Sequence, residues 1–98
     1  MNKKEAKAIL SVQLDEYRRR SYSDLQNLLE SQETFEATGD SGTRYQLEFY
    51  SIWDDQPVGN LRVLGSIDDG GVRAFFPITD DFIVAPDGSF VGEPDRAR

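Results

Sequence analysis

Between Thr43 and Trp53 large apolar side chains recur at odd positions, Tyr45, Leu47, Phe49 and Trp53, while Arg44, Gln46 and Glu48 separate them. A period of two places the first set on one face of a β-strand, so the chain must build a sheet with one buried side. Leu61 to Asp68 repeats the pattern with Leu61, Val63 and Ile67 around Gly65, and Val72 to Ile78 repeats it with Val72, Ala74, Phe76 and Ile78. The three strands constrain one another, because a slip of one residue in any pairing would turn its core side chains to water.

The turns select the register. A loop at Asp69-Gly70 pairs Ile67 with Val72, but it puts Pro77, which has no N–H, where the ladder needs a donor. A loop at Gly70-Gly71 pairs Ile67 with Ala74 and Gly65 with Phe76, and turns Pro77 away from its partner; this register is the one expected. Gly65 then leaves room beneath the rings of Phe76 and Phe49. Upstream, Thr34 to Thr38 reads as a short strand. A three-residue loop Asp40-Ser41-Gly42, with Gly42 left-handed, sets Phe35 opposite Leu47 and Ala37 opposite Tyr45. Asp54 to Asn60 is a loop by composition. Beyond Pro77, the apolar run Phe82 to Ala85 and the turn Pro86-Asp87-Gly88-Ser89 before Phe90 predict a last hairpin or a strand returning to the sheet edge.

The buried face needs a cover, and the N-terminus supplies one. Ala6, Ile9, Leu10, Gln13, Leu14 and Tyr17 recur at helical spacing between residues 3 and 19. Ser23 followed by Gln26 resembles a capping box opening a second short helix that buries Leu25, Leu28 and Leu29. The expected architecture is α+β: an N-terminal helix or helix pair packed on one face of an antiparallel meander of four to five strands. With 98 residues the chain forms one domain, residues 1–92, followed by a flexible C-terminal tail, residues 93–98.

Composition removes several functions. The net charge is -7, divided as +3 over residues 1–20 and -10 over the rest. An acidic sheet repels phosphate backbones, so no nucleic acid is expected as partner, and Arg18 to Arg20 fit the negative end of a helix dipole. The chain has neither His nor Cys. The commonest general base, the thiol nucleophile and the usual zinc ligands are therefore missing, and no phosphate-binding glycine loop is present. Catalysis and a bound cofactor are not expected. Without a long apolar run near the N-terminus neither a leader nor a membrane span is expected, and the lack of cysteine fits the cytoplasm.

Two constellations remain. The ends of the second and fourth strands are expected to bring Asp54 and Asp55 towards Asp80 and Asp81, where hard oxygen ligands could hold a calcium or magnesium ion or serve a small metal-dependent enzyme. Aspartate is also a common turn residue that bonds its own backbone, the plainer reading of the same four. The second constellation lies on the sheet's other face, where Tyr50, Ile52, Leu64 and Phe75 are apolar although the pattern calls for polar residues. Either they dock a partner, or the Phe82 to Val84 segment or the N-terminal helix folds over them. The leading expectation is a non-catalytic acidic module that binds a basic protein, neutralisation of a nuclease-type toxin being one instance; a structural homodimer is the third reading.

The segments Ser66-Ile67-Asp68-Asp69-Gly70-Gly71, Ile78-Thr79-Asp80-Asp81-Phe82 and Pro86-Asp87-Gly88-Ser89-Phe90, with Gly42 to Tyr45, resemble a family of small bacterial proteins with no assigned activity. The similarity spans roughly residues 22–92. It implies a bacterial origin and the domain boundaries, and brings no site residue with it.

Overall fold

The computed structural model describes residues 2–71 and 77–93. Helix α1 spans Lys3–Arg18, α2 spans Tyr22–Gln26 and runs into a 3₁₀ turn at Asn27–Leu29, and four strands follow: β1 Glu33–Thr38, β2 Arg44–Trp53, β3 Leu61–Asp68 and β4 Ile78–Val84. The strands form an antiparallel meander in the order β1-β2-β3-β4, with both helices packed on one face. Among the described residues no helix is long and apolar enough to cross a membrane.

Parity decides the core. Tyr45, Leu47, Phe49, Leu61, Val63 and Ile67 are fully buried, and Ala6, Leu10, Leu14 and Tyr17 of α1 meet them with Leu25 and Leu28. Each such Leu or Phe contributes about 1.5–3 kcal/mol, which is why the amphipathic stripe fixes the helix on this side. Ile9, Gln13 and Trp53 are only half-buried, at the margin of the contact. Helix α1 starts where Asn2 Oδ1 accepts the Glu5 N–H at 3.0 Å. The cap of α2 is Ser21, not Ser23: its Oγ accepts the Asp24 N–H at 3.0 Å. The start lies earlier because Tyr22 already belongs to the packed helix, its hydroxyl donating to the Gly59 carbonyl at 2.6 Å.

The first hairpin has the expected register, Phe35 opposite Leu47 and Ala37 opposite Tyr45, with Gly42 at φ 89°. The third pairing differs. Ile67 faces Ile78 and Gly65 faces Asp80, so β4 is the Ile78–Val84 run and the pairing lies four residues beyond the one expected from the Gly70-Gly71 turn. An even shift keeps the faces, and here it sets Phe82 against Val63 and Val84 against Leu61, both buried. Pro77 falls just outside the ladder, where its missing donor costs nothing. Val72, Ala74 and Phe76, expected in this strand, lie outside the described residues. After β4, the turn at Pro86 to Ser89 returns the chain along the edge: Phe90 bridges Val84 and the Val91 N–H donates to the Ile83 carbonyl. Arg18 pairs with Glu93 at 3.2 Å and lies over the Phe82 ring, tying this return to α1.

Two carboxylates clamp the layers together. Glu5 of α1 accepts from the Ser41 N–H, the Ser41 hydroxyl and the Tyr45 hydroxyl, and these bonds, Ser41's foremost, hold its pKa below the ordinary value. At the other end, Glu33 of β1 accepts from the Tyr17 hydroxyl at 2.6 Å and from the Arg20 guanidinium, which lies over the Tyr17 ring. Arg20 first and Tyr17 second lower the Glu33 pKa; burial, then Glu33, raises that of Tyr17.

Gly65→Ala is expected to destabilise by about 1–3 kcal/mol, since a Cβ there would meet Phe49 Cε1 at 2.5 Å and Leu10 Cδ1 at 3.0 Å. Urea unfolding should show a lower midpoint at unchanged slope. For the second clamp, the depressed Glu33 contributes stability above the ordinary carboxylate pKa that is lost as pH falls through its folded value. The raised Tyr17 contributes stability below the ordinary phenol pKa that is lost as pH rises through its folded value. In Tyr17→Phe both limbs of the stability–pH curve should become shallower, with the alkaline limb kept in part by Tyr45, also raised by burial and by Glu5.

Candidate functional site

The same parity that fills the core determines what the opposite face shows. Thr34 and Glu36 of β1, Gln46, Glu48, Tyr50 and Ile52 of β2, Arg62, Leu64 and Ser66 of β3, and Thr79, Asp81 and Ile83 of β4 point away from the helices. Neither cover considered for this face is there. Phe82 to Val84 is part of β4 itself, with Phe82 and Val84 directed inward, and α1 lies on the far side. Among the described residues no other element lies across it.

The face divides into two regions. Tyr50 sits opposite Leu64, Ile52 opposite Arg62, and Arg62 opposite Ile83, so the apolar side chains gather on β2 to β4. Tyr50 and Ile52 are 36 % and 44 % exposed, and Leu64 and Ile83 are half-buried by their neighbours. Phe75, the fourth residue expected in the patch, lies outside the described residues. Ile83 takes a place in it that the sequence reading missed, because that reading did not place the 82–84 run within the fourth strand. Among the described residues the same face carries Glu36, Glu48, Asp54, Asp68 and Asp81, against the cations Arg44 and Arg62.

Arg62 is already engaged. Its Nε and Nη2 donate to Asp54 Oδ1 at 3.1 and 2.8 Å, and its Nη1 donates to Asp81. Asp81, then Asp54, raises its pKa, so the guanidinium stays charged between them. Of the four carboxylates considered for a cation, Asp54 and Asp81 thus come together, around a protein cation. Asp55 is turned to its own loop, where Oδ1 accepts the Gln56 and Asn60 N–H groups at 2.7 and 2.9 Å. Asp80 stands opposite Gly65 on the helix side of the sheet, one residue and therefore one face away from Asp81, and its Oδ1 accepts the Asp81 N–H. Among the described residues no group of three or more carboxylates converges to hold a metal ion.

No protein-family model, curated protein or solved structure matches the chain.

Arg62→Gln leaves Asp54 and Asp81 facing each other across β3. The variant should lose stability mainly at low ionic strength, and its urea midpoint should approach that of the native chain in about 1 M salt, where the Debye length is about 3 Å. Calcium added to the native chain should give no saturable change in Trp53 emission below about 1 mM; saturation in the micromolar range would establish a cation site that this arrangement does not contain.

Proposed function

We propose that this chain is a non-catalytic, acidic protein-binding domain that docks a basic protein partner on the outer face of its sheet. One observation carries the reading: the face of β2 to β4 opposite the helices presents Tyr50, Ile52, Leu64 and Ile83 side by side, uncovered by any described element. A solvated antiparallel face ordinarily alternates to polar residues, so a contiguous apolar cluster there has a cost in water that a partner would remove. Tyr50 is the anchor, being the largest side chain of the cluster and half-exposed, beside Leu64.

Charge indicates the partner's sign. Among the described residues carboxylates outnumber guanidiniums on this face, and Arg44 and Arg62 are held by Glu36, Asp54 and Asp81. The remaining field is negative, which speeds encounter with a positive surface and disfavours an acidic one. Occupation of a basic enzyme's surface, as in neutralisation of a nuclease-type toxin in the cytoplasm, is the kind of action this chemistry serves, since the chain carries no His or Cys of its own.

The test is affinity capture from the native cell extract with the native chain and with the double variant Tyr50→Ser, Ile52→Ser. A basic protein should be retained by the native chain, released by added salt, and reduced at least about tenfold with the variant, since each lost anchor of this kind costs about 2 kcal/mol. Equal recovery by both chains, or retention of acidic proteins only, defeats the reading. A native chain whose mass in solution is doubled, and halved by the same substitutions, assigns the face to a second copy instead.

A further inference from the structure

Strand β1 is shorter than its neighbour. Its ladder with β2 ends at Glu33 opposite Phe49, while β2 continues through Trp53. The direction of the unpaired groups follows from the bonds at the strand ends. The Asp54 N–H donates to the Asn60 carbonyl, so even residues of β2 turn their backbone groups towards β3; the Gly39 N–H donates to the Thr43 carbonyl, so odd residues turn theirs towards β1. Ser51 and Trp53 therefore direct an N–H and a C=O each into the space where β1 no longer runs. Among the described residues no hydrogen bond engages these four groups.

That space is a groove of about 370 Å³ lined by Leu28, Leu29, Glu30, Gln32, Tyr50, Ser51 and Ile52. Ser51 lines this groove although it is only 3 % exposed, its hydroxyl donating to the Leu25 carbonyl, and its main-chain groups find no partner among the described residues. Buried main-chain donors and acceptors nearly always have partners. The outer edge of β1 differs in being open to water along Thr34 and Glu36, with the Glu36–Arg44 pair beside it, the charged guard usual on an edge strand.

We infer that the end of β2 is a strand-addition site, taking an extended segment of the partner in line with β1. This rests on the binding reading above for the segment's chemistry. The segment pairs its main chain with Ser51 and Trp53, sets apolar side chains beside Tyr50 and Ile52, where the groove opens onto the outer patch, and brings Lys or Arg to Glu30 and Asp54. Main-chain pairing supplies the affinity and the alternate side chains the selection. The overhang of four residues, Tyr50 to Trp53, accommodates about 13 Å of extended chain.

The probe is the acetylated, amidated pentapeptide Lys-Thr-Val-Lys-Val, with a second copy N-methylated at Thr and the second Lys, the two residues opposite Trp53 and Ser51. It is titrated into the full native chain while amide resonances and Trp53 emission are followed. The first peptide should shift the Ser51 and Trp53 amides saturably and slow their hydrogen exchange at least about tenfold, and the methylated peptide should bind at least about tenfold more weakly. No saturable change at those amides up to about 5 mM peptide, or equal binding by both peptides, overturns the inference. Shifts confined to Leu64 and Ile83 overturn it while leaving the outer-face reading intact. Pairing at Ser51 that persists undiminished in Tyr50→Ser, Ile52→Ser upholds the edge site and removes the outer patch from the recognition.

Discussion

The fold depends on a missing side chain. Gly65 stands opposite Phe49 in the middle of the sheet, and the Phe49 ring lies across the space a Cβ would fill. Lying there, it stacks on Tyr17 at 4.3 Å and is flanked by Phe35 at 5.7 Å, while Leu10 comes down on the same glycine. A glycine inside a strand weakens it locally, yet here it lets one ring join β1, β2, β3 and α1. The Tyr17 ring that stacks on Phe49 also carries the hydroxyl that bonds Glu33, so the close approach at Gly65 fixes where β1 begins.

Because every described cover lies on that side, the other face is left to its own residues. The helices cover the centre of one apolar surface and do nothing for the second, where the apolar cluster of β2 to β4 persists between charged residues. Arg62 shows how the chain handles this: it lies among Ile52, Leu64 and Ile83, with two carboxylates around it that keep the charge local. A guanidinium held in this way is weakly hydrated and flat, compatible with a protein surface laid over it.

Much of this was legible in the sequence, for a physical reason. Strand parity is a property of neighbours in the chain, so Tyr45, Leu47, Phe49, Leu61, Val63 and Ile67 declared their face, and the three-residue loop with Gly42 declared the first register. The third pairing was not, because parity is blind to an even shift: Ile67 against Ala74 and Ile67 against Ile78 bury the same faces, and turn chemistry at Asp69 to Gly71 suits a short loop or a long one. The choice rests on Phe82 and Val84 reaching Val63 and Leu61 across the sheet, a long-range contact no local pattern contains. The acidic edge expected from the sequence comes together only in part, Asp54 with Asp81, for the opposite reason. Asp80 and Asp81 are adjacent in the chain, and adjacency in a strand means opposite faces; once Ile78–Val84 is the strand, the two cannot serve one site.

The unequal lengths of β1 and β2 join the two halves of the reading. Were β1 four residues longer, Ser51 and Trp53 would be paired within the chain, and the segment before it would have no slack from which to form the 3₁₀ turn that buries Leu28. Instead the chain closes the core on the helix side with the 3₁₀ turn and enters the sheet only at Glu33. Closing the core and opening the edge are thus one event in the backbone. A β1 extended to remove the open edge would have to give up Leu28 and Ser51's bond to Leu25, so the groove is retained by the core itself, whatever occupies it.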